Sequence, residues 1–348
     1  MIIKAKELAQ RLNVSPATIS LVLNNKPGIS DHLRNSLLQR IKDLGCEEML
    51  SNCAPAHSPP PSSRLGIAYL IYTDSEENSE KFAFYPAVLE GAEMEARENS
   101  YNFLVYHITP GEGDLKNLLE NANVVGAVAQ VKCITEEILV DLSVLDIPYV
   151  FIDAYRPDLA VSCVCVNNEQ GIYSAVRYLK EMGHREIGYI STGNASDMAI
   201  ERRRHFHLSL REYGLGDNRK NYYIAAEHNT ELLPALCRAF QDSPPKVTAF
   251  LAENDVLAWQ AILALKRCGY RIPEDISIIG FDDRSVCLLT EPNLTTVRNY
   301  RHLMGQQSIT MIQNKLYLKK LNMTEASIKY ELPTELIIRD SVRKIDSI

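Results

Sequence analysis

Two groups of polar residues could do chemistry, and both suit recognition better than turnover. Between Val14 and Asn24, the residues Ala17, Thr18, Ser20, Leu21 and Asn24 lie off an apolar stripe made by Ile19, Val22 and Leu23. Their hydroxyls and amide can meet something outside the chain. The second group stands at the ends of apolar runs. Asp153 follows Ile152, Asn167 follows Val166, Asn254 lies just beyond Leu251-Ala252, and Asp282-Asp283 follow Phe281. Each alone is also an ordinary helix cap or turn former. The adjacent carboxylates Asp282 and Asp283 could in principle do acid–base work. No base-oriented nucleophile, Gly-rich phosphate loop or metal-ligand spacing accompanies them. The eight cysteines include no C-x-x-C pair, so free thiols in a reducing compartment are expected, with no metal and no cofactor.

The first group needs a rigid mount. Ser15 suits an N-cap, and Pro16 suits the first helical position. Ala5, Leu8, Ala9 and Leu12 form the stripe of a preceding helix, with Asn13 and Val14 at the corner. A third helix runs from the cap Ser30 through Leu33, Leu37, Leu38, Ile41 and Leu44 to Gly45. Two short helices joined by a tight turn describe a helix-turn-helix, although plain packing produces such pairs too. Charge separates the two readings. Residues 1–46 carry a net +4 inside a chain of net −7, which leaves −11 on the remainder. A basic head on an acidic body points to a polyanion as the head's partner.

The second group needs sheets. After Gly45 comes a linker, 47–64, with Pro55 and Pro59-Pro60-Pro61 among serines. From Leu65 onward, strand-like runs alternate with amphipathic helices. The strands are expected at Leu65–Tyr72, Phe103–Ile108, Val124–Ala129, Pro148–Ile152, Ser162–Val166, Ile187–Ser191, Tyr222–Ala226, Val247–Ala252 and Ile276–Phe281. Such alternation predicts βαβ units in two doubly wound parallel sheets. Ligands in these sheets bind beyond the carboxyl ends of the strands. No apolar run is long enough to span a membrane and no signal peptide opens the chain, so a cytoplasmic location is expected.

These residues resemble the LacI/GalR family of bacterial transcription regulators. The head carries V-S-x-x-T-x-S-x-x-L-N from Val14 to Asn24. The body carries Gly171, Ala175 and Leu179, then Gly183-His184, Glu201-Arg202 and Phe206. Asn254-Asp255, the run Ile272 to Asp283, Pro292, Leu294 to Val297 and Met304-Gly305 follow in order. The resemblance implies an all-α helix-turn-helix head, 1–46, and a periplasmic-binding-protein-like core of two lobes, 65–342. The implied lobes are about 65–166 with 292–323, and 167–291 with 324–342. Crossings would fall near Asn167, Thr290 and Thr324, and Tyr330 to Ile338 would return to the second lobe. It also implies a homodimer on a pseudo-palindromic double-stranded DNA operator, with a small effector of the sugar or nucleoside class between the lobes and no membrane partner.

Residue by residue, the resemblance implies phosphate or backbone contacts from Ser15, Thr18, Ser20, Asn24 and Arg34, with base reading by Pro16, Ala17 and Leu21. The family's commoner pattern has Arg where Leu21 stands. Arg bonds guanine bidentately and Leu cannot, so apolar contacts to thymine methyls are expected. Glu47, Glu48 and Pro55 occupy the stretch where the family usually has a hinge helix. For the effector, Phe84 and Tyr85 would stack on a ring, Arg202 would fork onto polar groups, and Asp153, Asn254 and Asp282 would supply donors and acceptors. A solute-binding receptor without DNA function, or a regulator using a protein co-effector, are the alternatives.

Overall fold

The computed structural model describes residues 8–9, 11–12, 14–23, 33, 36–37, 40–41, 64–73, 86–193, 196–216, 222–224, 232–323 and 326–345. The chain divides into two units, Met1–Arg64 and Leu65–Ile348. Asn24, Arg34, Phe84, Tyr85 and the linker residues 47–63 lie outside the described residues, as does the side chain of Ala17.

In the first unit, helix α1 (Pro16–Leu23) starts where the cap predicts. The Thr18 amide donates to Ser15 Oγ at 3.0 Å, and the two hydroxyls lie 2.8 Å apart. Ile19 and Val22 face inward and close a core with Leu8, Ala9, Leu12, Leu37 and Ile41. Leu33 does not join it and is 41% exposed.

The second unit holds two six-stranded sheets. The first, in the order β11-β5-β4-β3-β1-β2, uses β1 (Gly66–Tyr72), β2 (Asn102–Ile108), β3 (Val124–Gln130), β4 (Tyr149–Ile152), β5 (Cys163–Val166) and β11 (Lys329–Leu332). The second, in the order β12-β10-β9-β8-β6-β7, uses β6 (Ile187–Ser191), β7 (Tyr222–Ile224), β8 (Ala249–Ala252), β9 (Ser277–Asp282), β10 (Thr295–Asn299) and β12 (Thr334–Ile337). Every pairing is parallel except β10 with β12. Helices cover both faces of a parallel sheet, so its inner strands read as unbroken apolar runs. All of β1 is buried, whereas the edge strand β2 is half-buried to exposed along most of its length.

The connecting helices are α2 (Pro86–Glu98), α3 (Leu115–Asn121), α4 (Glu136–Ser143), α5 (Asn168–Glu181), α6 (Asp197–Glu212), α7 (Leu232–Asp242), α8 (Asp255–Arg267) and α9 (Arg301–Lys320). Side chains of Asp114, Thr135, Asn167, Ser196 and Asn254 cap five of them. Helices α2 and α9 cross at glycine. A Cβ on Gly91 would stand 2.0 Å from the His302 carbonyl oxygen, and one on Gly305 would stand 2.0 Å from that of Val88.

Lobe membership differs from the expected bounds. Strand β10 pairs with β9 and so belongs to the second lobe, and β11 pairs with β5 and so belongs to the first. The crossings therefore fall between Val166 and Asn168, between Asn299 and Arg301, and between Leu332 and Thr334. Thr290 and Thr324 were the wrong places, and Tyr330 to Ile338 is split between the lobes. The cause lies in strand pairing: these strands are short, and their ladder partners, β9 for β10 and the far more distant β5 for β11, choose their sheet.

Candidate functional site

The carboxyl ends of both sheets turn toward one another. The start of α6, in the second lobe, reaches the first. The Asp197 amide donates to the Lys132 carbonyl at 3.2 Å, and the Ile134 amide donates to Asp197 Oδ2 at 3.2 Å. Met198 packs within the first lobe's apolar cluster. Lys329 of β11 lies 3.9 Å from Glu201 and 3.5 Å from the centroid of the Tyr155 ring. Burial pushes the Asp197 carboxyl up to about 6.

One turn into α6, Arg202 is the hub of the cleft. Its Nε donates to Asn168 Oδ1 at 2.8 Å, Nη1 to the Glu253 carbonyl at 2.9 Å, and Nη2 to Asp282 Oδ1 at 3.2 Å. Its Cζ stands 3.9 Å from the centroid of the Phe281 ring. Burial opposes its charge, but Asp282 and Asp153 hold its pKa above the ordinary value. Asp282 also accepts from Asn299 Nδ2 at 3.0 Å, and Arg284 Nε lies 3.7 Å from its other oxygen.

Asp153 caps β4 in the opposite lobe, in a left-handed backbone with φ 54°. Asp and Asn tolerate that region better than most residues. Burial raises its pKa to about 7; Arg202 pulls it down, and Asp282 and Glu201 push it up. Its Oδ1 accepts no hydrogen bond from the described residues.

Asp282 (φ 109°) and Asp283 (φ 50°) turn away from each other. Asp283 takes Arg339 Nη2 at 2.6 Å and Arg298 Nε at 2.7 Å. Burial would raise its pKa, but those two hydrogen bonds outweigh it and hold the carboxyl below its ordinary value. It is a structural anchor, whereas Asp282 belongs to the cleft.

The structure thus brings Asp153, Arg202 and Asp282 together. Asn254 plays a different local part: its Oδ1 accepts the Leu257 amide at 3.0 Å and starts α8. The residue before it, Glu253, went unnoticed in the sequence. It is 5% exposed, and its carboxylate accepts Ser191 Oγ at 2.6 Å and Thr192 Oγ1 at 2.8 Å. Gln130, at the end of β3, accepts Tyr69 Oη at 2.9 Å and was missed as well. The strand-end rule that selected Asn254 also reaches both, since Glu253 follows Ala252 and Gln130 follows Ala129 directly. On α1 and the Ser15 that caps it, Ser15, Pro16 and Ser20 are exposed, and Thr18 and Leu21 are half-buried.

Comparisons with known proteins agree with this architecture. Residues 176–342 match the model of a periplasmic binding protein-like domain. The HTH-type transcriptional regulator GalS of Salmonella typhimurium is 28% identical over 303 residues, covering 85% of each chain. The HTH-type transcriptional repressor PurR of Vibrio vulnificus is 26% identical over 350 residues, covering 98% of this chain and 99% of that one. Among solved structures, the transcriptional regulator CelR in complex with cellobiose aligns with TM-score 0.69 at 23% identity, covering 98% of this chain and all of that one. A lac repressor dimer bound to operator and the anti-inducer ONPF aligns with TM-score 0.68 at 18% identity, covering 99% and 100%.

The fold and cleft define a two-lobed, periplasmic-binding-protein-like chain. Along most of its length the chain is similar to transcription regulators such as GalS and PurR. No helix of the described residues is long and apolar enough to cross a membrane.

Proposed function

We propose that the chain works as a homodimer in the cytoplasm, repressing transcription from a double-stranded DNA operator under control of a small polar effector between the lobes. The observation that carries this is Arg202, buried at the lobe junction and one turn from the contacts that α6 makes with the opposite lobe. A ligand that rearranged the Arg202 partners would shift α6 against the first lobe. Only a difference in affinity between two lobe arrangements can change the DNA-competent population.

Relatives crystallised with cellobiose and with ribose support a sugar-class effector. The basic head and the exposed Ser15, Pro16 and Ser20 support DNA as its partner. Base reading is assigned to Pro16, Ala17 and Leu21, and backbone contacts to Ser15, Thr18, Ser20, Asn24 and Arg34. Phe84, Tyr85 and Asn254 remain assigned to the effector alongside Asp153, Arg202 and Asp282.

The test is selection of bound duplexes by the purified protein, followed by titration against salt. The logarithm of affinity should fall with the logarithm of salt, by about 0.9 for each phosphate contacted. Leu21→Arg should shift the selected half-site toward guanine by about 1–3 kcal/mol of discrimination. A flat salt response, or no selected duplex, overturns the reading.

A further inference from the structure

Each lobe buries a carboxyl against the other. Asp197 opens α6 in the second lobe and accepts the Ile134 amide of the first at 3.2 Å, while its own amide donates to the Lys132 carbonyl. The Ile134 carbonyl in turn accepts Arg156 Nη1 at 3.2 Å, and Arg156 is paired with Asp158. Arg156, Asp158 and Glu201 are the charged groups that act on Asp197. In the first lobe, Asp153 is 8% exposed, and its Oδ1 receives no hydrogen bond from the described residues. The charged groups that act on it, Arg202, Asp282 and Glu201, all belong to the second lobe. Asp282 is itself bonded by Arg202 and lies near Arg284, and Glu201 is met by Lys329.

A carboxylate taken out of water with too few donors is costly, and binding a proton relieves that cost. A proton on Asp153 also leaves Arg202 and Asp282 as a matched pair. Burial holds Asp153 at about 7 and Asp197 at about 6, although Arg202 pulls the first down and the Ile134 hydrogen bond pulls the second down. Separating the lobes would break the Ile134 bond and readmit water to both carboxyls, which returns them toward the ordinary 3.8. We infer that closure of the lobes takes up protons, on Asp153 of the first lobe and Asp197 of the second, so that acidity favours the closed arrangement. The gain is complete below the open-lobe value and is lost as pH rises through the closed-lobe values. By linkage, a ligand that prefers closed lobes binds more tightly in acid, and one that prefers open lobes binds less tightly. The inference rests on the proposed exchange between two lobe arrangements. Asp255 is also raised by burial, but Asp282, Thr296, Arg284 and Cys287, which act on it, lie in its own lobe, so closure leaves it unchanged.

The experiment is hydrogen–deuterium exchange of the full chain without effector, from about pH 5.5 to about pH 7.5, with rates corrected for intrinsic pH dependence. The Ile134 and Asp197 amides, bonded across the junction, report lobe opening, and the amides of β1 report global unfolding. Protection of the junction amides should be roughly tenfold or more higher at the acid end than at the alkaline end. Asp197→Asn, which stays neutral, should lose part of that response, and the double variant with Asp153→Asn nearly all of it. Thermal unfolding checks that both fold; if the double variant does not, Asp197→Asn alone decides. Equal junction protection across the range, or an undiminished response in Asp197→Asn, overturns the inference. Junction amides that exchange only together with β1 would remove the second lobe arrangement and sink both the inference and the proposed function. A pH-linked opening in a protein that selects no duplex would sink that function and leave the proton linkage standing.

Discussion

The Arg202 guanidinium is layered on the Phe281 ring while its Nη2 donates to Asp282, the next residue of the same strand. Strand β9 thus offers one side chain as a platform and its neighbour as a counter-charge. The planar, delocalised guanidinium suits both at once, and an ammonium does not. Arg202→Ala would leave Asp282 and Asp153 buried without their cation. Breaking a buried pair from one side costs about 3–5 kcal/mol, and that loss is expected in urea unfolding. Adding Asp282→Asn to Arg202→Ala should recover part of it. Arg202→Lys should fold better than Arg202→Ala yet still lose the effector response.

Asp153 sets a pH dependence whose sign is fixed by its surroundings. Its carboxyl is raised from 3.8 to about 7 in the native chain, so the native state keeps this proton where the unfolded chain has lost it. The associated stabilisation is complete below the unfolded value and is lost as pH rises through the native one. Asp153→Asn removes this dependence. Stability of the unaltered chain should therefore fall relative to Asp153→Asn between about pH 4 and pH 7, by at most about 4 kcal/mol at roughly 1.4 kcal/mol per unit, and then level off. Asp255 is shifted alike, chiefly by burial, but cancels in this comparison. Equal pH profiles for the two proteins would refute the assignment.

The crossing of α2 and α9 is set by contact with backbone. A methyl on Gly305 would meet the Val88 carbonyl and the Ala92 amide, and neither can rotate aside. Gly305→Ala should lower stability by about 1–3 kcal/mol or more, since the helices must separate along their whole contact. Gly91→Ala should behave alike against His302. The melting temperature of each variant checks this, and an unchanged value would contradict the packing.

Much of the fold was legible before any coordinates, for reasons that can be traced to particular residues. Strands such as β1 and β9 are buried on both faces, so they stand out as apolar runs in the sequence. Thr135, Ser196 and Asn254 mark helix starts because a cap answers a purely local need, the unpaired amides of the first turn. Ile19 and Val22 declare their inward face through helical spacing alone.

The rest was settled by contacts between distant parts of the chain. Which sheet receives β10 and β11 depends on edges that become available only once β9 and β5 are in place. Asp282 and Asp283 look equivalent as neighbours, and the arginines that reach each from elsewhere give them different work. Arg202 draws its partners from positions 34, 51 and 80 residues away. Local preference wrote the elements and their caps into the order of residues. Charge balance in the cleft arises only when burial brings remote groups within reach, because the strength of those interactions depends on the water that folding removes.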